Sequence, residues 1–169
     1  LGTKFRGDVA EVVCNDRFTS RCQEFGLHPG VALDKTLGWS FEDQEADARK
    51  VLDETRPKVL VGSPECKAFS QLLTMNRSRM KTEEYNRIVQ EGYQHLNFAI
   101  DLYFEQLRRG DDFLHEHPHP ASSWELERMK TLLADPRVHW VRNDQCAAGM
   151  TAEGEDGTPA AASDPEDLS

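Results

Sequence analysis

An α/β domain with a mainly parallel sheet is the fold class that this sequence predicts, from three observations. Short apolar runs at 8–14, 30–34, 58–62, 112–116 and 138–141 alternate with segments of helical periodicity, the pattern of repeated strand–helix–strand units. Gly, Pro, Asn or Asp bound those runs, as they bound buried strands. The 169 residues suit one domain with a real core.

Asp8 to Cys14 reads as the first strand, and Phe18 to Phe25 as a short helix closed by Gly26. The intervening Asn15-Asp16-Arg17 lacks the glycines that let backbone approach a nucleotide closely. Gly30 to Asp34 forms the second strand and ends in an acid. Ser40 then caps a helix whose buried stripe is Ala48, Val51, Leu52 and Thr55, ended by Pro57. The third strand leads into Gly62-Ser63-Pro64-Glu65-Cys66-Lys67-Ala68-Phe69-Ser70, followed by a polar, basic loop from Gln71 to Arg79. Thr82 caps a long helix through Arg109, terminated by Gly110. The fourth strand runs into Phe113-Leu114-His115-Glu116-His117-Pro118-His119-Pro120. Ser122 or Ser123 caps a helix from Trp124 to Leu133, and 138–141 supplies a fifth strand. The expected architecture is a single Rossmann-like three-layer sandwich over residues 1–150, with an acidic disordered tail over 151–169.

The net charge is −10, yet Thr151 to Ser169 holds six acids and no base, so the first 150 residues balance at −4. A local basic groove is compatible with that balance. Cys14, Cys22, Cys66 and Cys146 form no C-x-x-C pair and read as free thiols of a reducing compartment. No apolar run is long enough for a membrane span, and the start Leu1-Gly2-Thr3-Lys4 lacks the order of a signal peptide. The expectation is an intracellular protein, nuclear or cytoplasmic, or a piece excised from a longer one.

Two segments carry chemistry. Pro57 and Pro64 bracket the third strand, so Cys66 falls just beyond its carboxyl end, where open α/β sheets hold ligands. Lys67 and several backbone N–H groups lie beside the thiol in sequence. Prolines likewise stop the fourth strand and place Glu116 at the same edge. Gly62-Ser63-Pro64-Glu65-Cys66-Lys67-Ala68-Phe69-Ser70 resembles the Gly-Pro-Pro-Cys-Gln-x-Phe-Ser loop of cytosine-5 DNA methyltransferases. With Phe113 to Pro118, it is more similar still to a diverged form of that family in retroelement-like reading frames, which carries Phe-x-His-Glu-His-Pro after a long helix. Glu65 stands where the family has proline.

The resemblance implies S-adenosylmethionine as cofactor, with Cys66 as nucleophile and Glu116 as acid. The thiolate adds to C6 of cytosine while the acid protonates N3, the base having been flipped out of its duplex. It also places Asp34 on the cofactor ribose. Trp39 offers a face for adenine, and Arg17 a fork of donors for a carboxylate. Arg77, Arg79 and Lys81, with no acid between Cys66 and Thr82, are the candidates for a phosphate backbone. The expected partners are DNA and flanking polyprotein domains, with no membrane. A zinc site of His115, His117, His119, Cys66 and Cys146 is disfavoured, because Pro118 and Pro120 break the spacing; no metal is assigned. The missing Gly-rich loop, Glu65, and the lack of a later arginine motif and recognition domain point to a domain that is incomplete or inactive alone. The alternative is a non-catalytic module of the same fold.

Overall fold

The computed structural model describes residues 7–14, 16–34, 38–39, 41–143, 152–153 and 159–160, the side chains of 41–44, 152–153 and 159–160 excepted. The chain divides into two units, Leu1–Val138 and His139–Ser169. The first holds an all-parallel sheet of β1 (Val9–Val12), β2 (Pro29–Leu33), β3 (Val59–Gly62) and β4 (Asp112–His115) in the order β2-β1-β3-β4. Its helices are α1 (Phe41–Thr55), α2 (Gln71–Asn76), α3 (Thr82–Arg109) and α4 (Glu127–Leu133). The fold class is that of a Rossmann-like α/β sandwich.

Period-two alternation sorts the strands between two faces. Ala10, Val12 and Leu60 join the large core with Leu52 of α1, Leu96, Ile100 and Tyr103 of α3, and Met129 and Leu132 of α4. Val9 and Val61 turn the other way, onto Cys22 of the 3-10 helix Thr19–Phe25. That second covering is thin, and Leu114 on β4 stays 46% exposed.

The long helix is α3. Glu83 and Glu84 sit in its positive first turn, and Gly110, at φ 74°, closes it by donating to the carbonyls of Gln106 and Leu107. The buried Gln106 amide donates to the carbonyls of Pro57 (3.1 Å) and Asp112 (3.0 Å), tying the helix to the entries of β3 and β4. Lys81, not Thr82, is the N-cap, and no side chain caps the first turn.

Other sequence expectations change. Gln71 to Arg79 is no loop: it forms α2 and the 3-10 turn Arg77–Arg79. The Ser70 hydroxyl accepts from the Leu73 N–H at 3.2 Å and starts the helix, while buried Leu73 anchors it. The segment 122–133 splits into a 3-10 turn, Ser122–Glu125, and α4. Neither serine caps a helix there, because Ser122 donates to the Phe69 carbonyl and Ser123 bonds His117.

No strand forms at 138–141. The Val138 N–H closes a turn on the Asp135 carbonyl at 2.9 Å, and Trp140 and Val141 are exposed, so the apolar run has no burial to fix it as a strand. Of the second unit, Ala152–Glu153 (β5) and Pro159–Ala160 (β6) pair antiparallel. Asn15, Ser40, Cys146 and most of the expected tail lie outside the described residues.

Candidate functional site

The strand order fixes where a ligand crevice belongs. From β1 the chain moves to β2 on one side, and from β3 to β4 on the other, so the loops leaving β1 and β3 diverge. In open α/β sheets that switch point is the ligand edge. Val13, Cys14 and Ser63 stand there. Val13 has φ 51°, a rare conformation for a β-branched residue, and its N–H donates to the Leu33 carbonyl at 2.9 Å. Directly after this bend, the Cys14 thiol meets Oε1 of Glu11 at 3.7 Å and the Val61 carbonyl at 3.8 Å. Burial, then the Glu11 charge, pushes its pKa up to about 12, so Cys14 remains a thiol at neutral pH.

Glu11 is the residue that sequence reading passed over. It lies within β1 with no exposed surface. Oε1 accepts from the N–H groups of Arg17 and Phe18, each at 3.1 Å. Oε2 accepts from the Thr19 N–H and hydroxyl, each at 2.6 Å. A carboxylate of the chain thus satisfies the backbone donors that a Gly-rich loop would offer to a ligand. The available signal was an acid inside an otherwise apolar run.

The two foci of the sequence meet across β3 and β4. Gly62 pairs with His115, and the Glu116 N–H donates to the Gly62 carbonyl at 3.0 Å. One residue beyond Gly62, the Ser63 hydroxyl donates to Oε2 of Glu116 at 2.8 Å. Half-buried Cys66 opens the 3-10 turn Cys66–Phe69, which Phe69 pins into the core. The loop bearing Cys66 and the segment bearing Glu116 therefore leave adjacent parallel strands at one edge.

Behind that edge lies a histidine pair. His115 Nδ1 and the buried Tyr103 hydroxyl share a hydrogen bond of 3.0 Å; His117 Nδ1 shares one with the fully buried Ser123 hydroxyl. The two imidazole centroids lie 5.6 Å apart, with Trp124 edge-on to both and Phe69 edge-on to His117. Neither Nε2 has a hydrogen-bond partner. Burial, reinforced by His117, lowers the pKa of His115 to about 3. Burial lowers that of His117 to about 4 against the opposing pull of Glu116 and the Pro64 carbonyl. Both are neutral near pH 7. Tyr103, whose pKa burial raises, stays a phenol, and its hydroxyl explains Gly62: a Cβ there would lie 1.9 Å from the hydroxyl oxygen.

His119 is exposed, unlike His115 and His117, and among the described residues no three His, Cys, Asp or Glu side chains are grouped to hold a metal. Asp34 is buried just past β2, and its carbonyl accepts from the Trp39 N–H at 3.1 Å. Trp39 is half-buried against the core. The Arg17 side chain is exposed, as are Arg77, Arg79 and Lys81 around the start of α3. No described helix is long and apolar enough to cross a membrane.

By fold and edge this is a parallel α/β domain with a thiol loop and a carboxylate at neighbouring strand ends. No family model, curated protein or solved structure matches the chain.

Proposed function

We propose that the chain is a diverged cytosine-5 DNA methyltransferase-like domain that does not transfer a methyl group by itself. The observation that carries this reading is the 2.8 Å hydrogen bond from Ser63 to Glu116, which joins the Cys66 loop to the Glu116 segment across β3 and β4. In the chemistry that the resemblance implies, the Cys66 sulfur adds to C6 of cytosine as Glu116 protonates N3. The resulting enamine takes the methyl group of S-adenosylmethionine at C5. Loss of the C5 proton to a base would then expel the thiolate, and the N3 proton would return to Glu116. Ser63 orients the Glu116 carboxyl for its part. Asp34 and Trp39, beyond β2, are the residues assigned to the ribose and adenine, and Arg17 to the cofactor carboxylate.

A second reading, a non-catalytic module of the same fold within a longer polyprotein, is favoured by Glu11. Its carboxylate engages three N–H groups of the β1 loop, so a cofactor carboxylate finds those donors occupied.

Calorimetric titration with S-adenosylhomocysteine separates the two readings: heat of binding supports the methyltransferase-like reading, and its absence the module. Incubation with labelled S-adenosylmethionine and mixed-sequence DNA tests the statement about transfer. No label on cytosine is expected; label that disappears in Cys66→Ser overturns it.

A further inference from the structure

The segment after the Cys66 turn carries Arg77, Arg79 and Lys81, the candidates for a phosphate backbone, and the structure sets apolar and aromatic groups beside them. In α2, Leu73 points into the core, while Leu72 and Met75, three residues apart and so on one helix face, are 68% and 74% exposed. Next to them a groove of about 370 Å³ is lined by Thr74, Met75, Arg77, Ser78, Thr82 and Tyr85. The Arg77 guanidinium lies over the Tyr85 ring, its Cζ 4.1 Å from the centroid. Lys67, Arg77, Arg79 and Lys81 are all exposed, with no acid from Lys67 to Lys81; Glu65 precedes this stretch, and Glu83 and Glu84 follow it. On a chain of net charge −10, this stretch concentrates positive charge beside exposed apolar groups and an arginine–aromatic stack.

We infer that this elbow of α2 and the start of α3 binds single-stranded nucleic acid. Arg77, Arg79 and Lys81 suit a phosphate backbone, while Lys67 lines a separate cavity with Glu65 and Glu91. Leu72, Met75 and the Arg77–Tyr85 stack offer apolar and cationic surface to unstacked bases, and the groove hydroxyls of Thr74, Ser78 and Thr82 can reach sugar or phosphate. Duplex fits less well: α2 has six residues, about 9 Å of helix, and a 3-10 turn ends it, leaving no face to lie in a groove. An anionic membrane fits less well again, because two exposed apolar side chains on so short a helix bury little area. The inference goes beyond the proposed function, whose implied substrate is duplex DNA, and it needs no cofactor.

The test is fluorescence anisotropy of labelled mixed-sequence 15-mers, single-stranded DNA, single-stranded RNA and duplex, at 50 to 300 mM salt without cofactor, with phosphatidylserine vesicles as a further arm. The expected result is single-strand binding tighter than duplex binding, with log K falling against log salt by about 0.7 for each phosphate neutralised. Arg77→Gln with Arg79→Gln and Lys81→Gln should weaken binding at least tenfold at low salt and flatten the slope. Leu72→Ser with Met75→Ser should weaken it with the slope unchanged, and Lys130→Gln on α4 should do nothing. Equal or tighter duplex binding, binding confined to vesicles, or a triple variant that binds as wild type overturns the inference. Cofactor titration is a separate measurement, so failure here and failure of the methyltransferase reading remain distinct.

Discussion

Acid should unfold this domain through two imidazoles. His117 is buried and His115 half-buried with its Nε2 enclosed, and both are neutral, with pKa values near 3 for His115 and 4 for His117 against an ordinary 6.5. Both are depressed on folding, so the unfolded chain takes up protons first as pH falls. The stability is fully present above about pH 6.5 and is lost on the way down to the folded values of 3 to 4. At pH 5 each histidine lowers stability by about 2 kcal/mol, and the pair by about 4, before any relaxation of the folded state. Against a total of roughly 5–15 kcal/mol for a domain, that is a large share. Urea denaturation followed by tryptophan fluorescence at pH 7.5 and 5.0 measures it. His117→Gln retains a hydrogen-bonding group toward Ser123 and removes one titration, so its pH-dependent loss should fall to about half. A wild-type loss under 1 kcal/mol, or an equal loss in the wild type and in both His115→Gln and His117→Gln, would mean that these imidazoles do not drive the acid unfolding.

Three further outcomes follow from buried geometry. Glu11→Gln should destabilise by about 2–4 kcal/mol, since charge-assisted bonds to three N–H groups and a hydroxyl lose their charge; a midpoint shift in urea with unchanged slope is the readout. Gly62→Ala should destabilise by about 1–3 kcal/mol through the clash with the Tyr103 hydroxyl, and Gly62→Ala combined with Tyr103→Phe should show less than the sum of the two losses. Iodoacetamide at pH 8 followed by peptide mass spectrometry should label Cys66 well ahead of Cys14, whose pKa is near 12 and whose thiol stays protonated; equal labelling would contradict the protonated Cys14 thiol.

The sheet was legible because its signals are local. The runs at 8–14, 30–34, 58–62 and 112–116 hold β1 to β4, and the stripe from Ile88 to Leu107 is the buried face of α3. What escaped depends on contacts far apart in sequence. The run at 138–141 looks like a strand by composition, but strandedness also needs a neighbour and a buried face. Ser123 has the residue type of a helix cap, and its hydroxyl instead answers His117. Tyr103 reads as one more apolar position until its hydroxyl is seen to meet His115 and to exclude a side chain at Gly62. At the site, the alignment of the Cys66 and Glu116 segments was legible because prolines end both runs; the Ser63 tie between them was not, since a loop serine has no periodicity to betray its partner.

The β1 edge and the β3–β4 edge of one sheet have diverged in chemistry. At β1, Glu11 answers three N–H groups and the Thr19 hydroxyl of the turn, and Glu11 and the Val61 carbonyl answer the Cys14 thiol. An incoming anion would have to displace a buried carboxylate that already accepts five hydrogen bonds, the Cys14 thiol's included, and separating it from those donors would leave an uncompensated charge in the interior, at several kcal/mol. At β3 and β4, by contrast, Glu116 is exposed with one bond from Ser63, and Cys66 is half-buried. The β3–β4 end is the more open of the two, and a base taken up by the proposed Cys66–Glu116 pair should slow Cys66 alkylation before it perturbs the environment of Cys14.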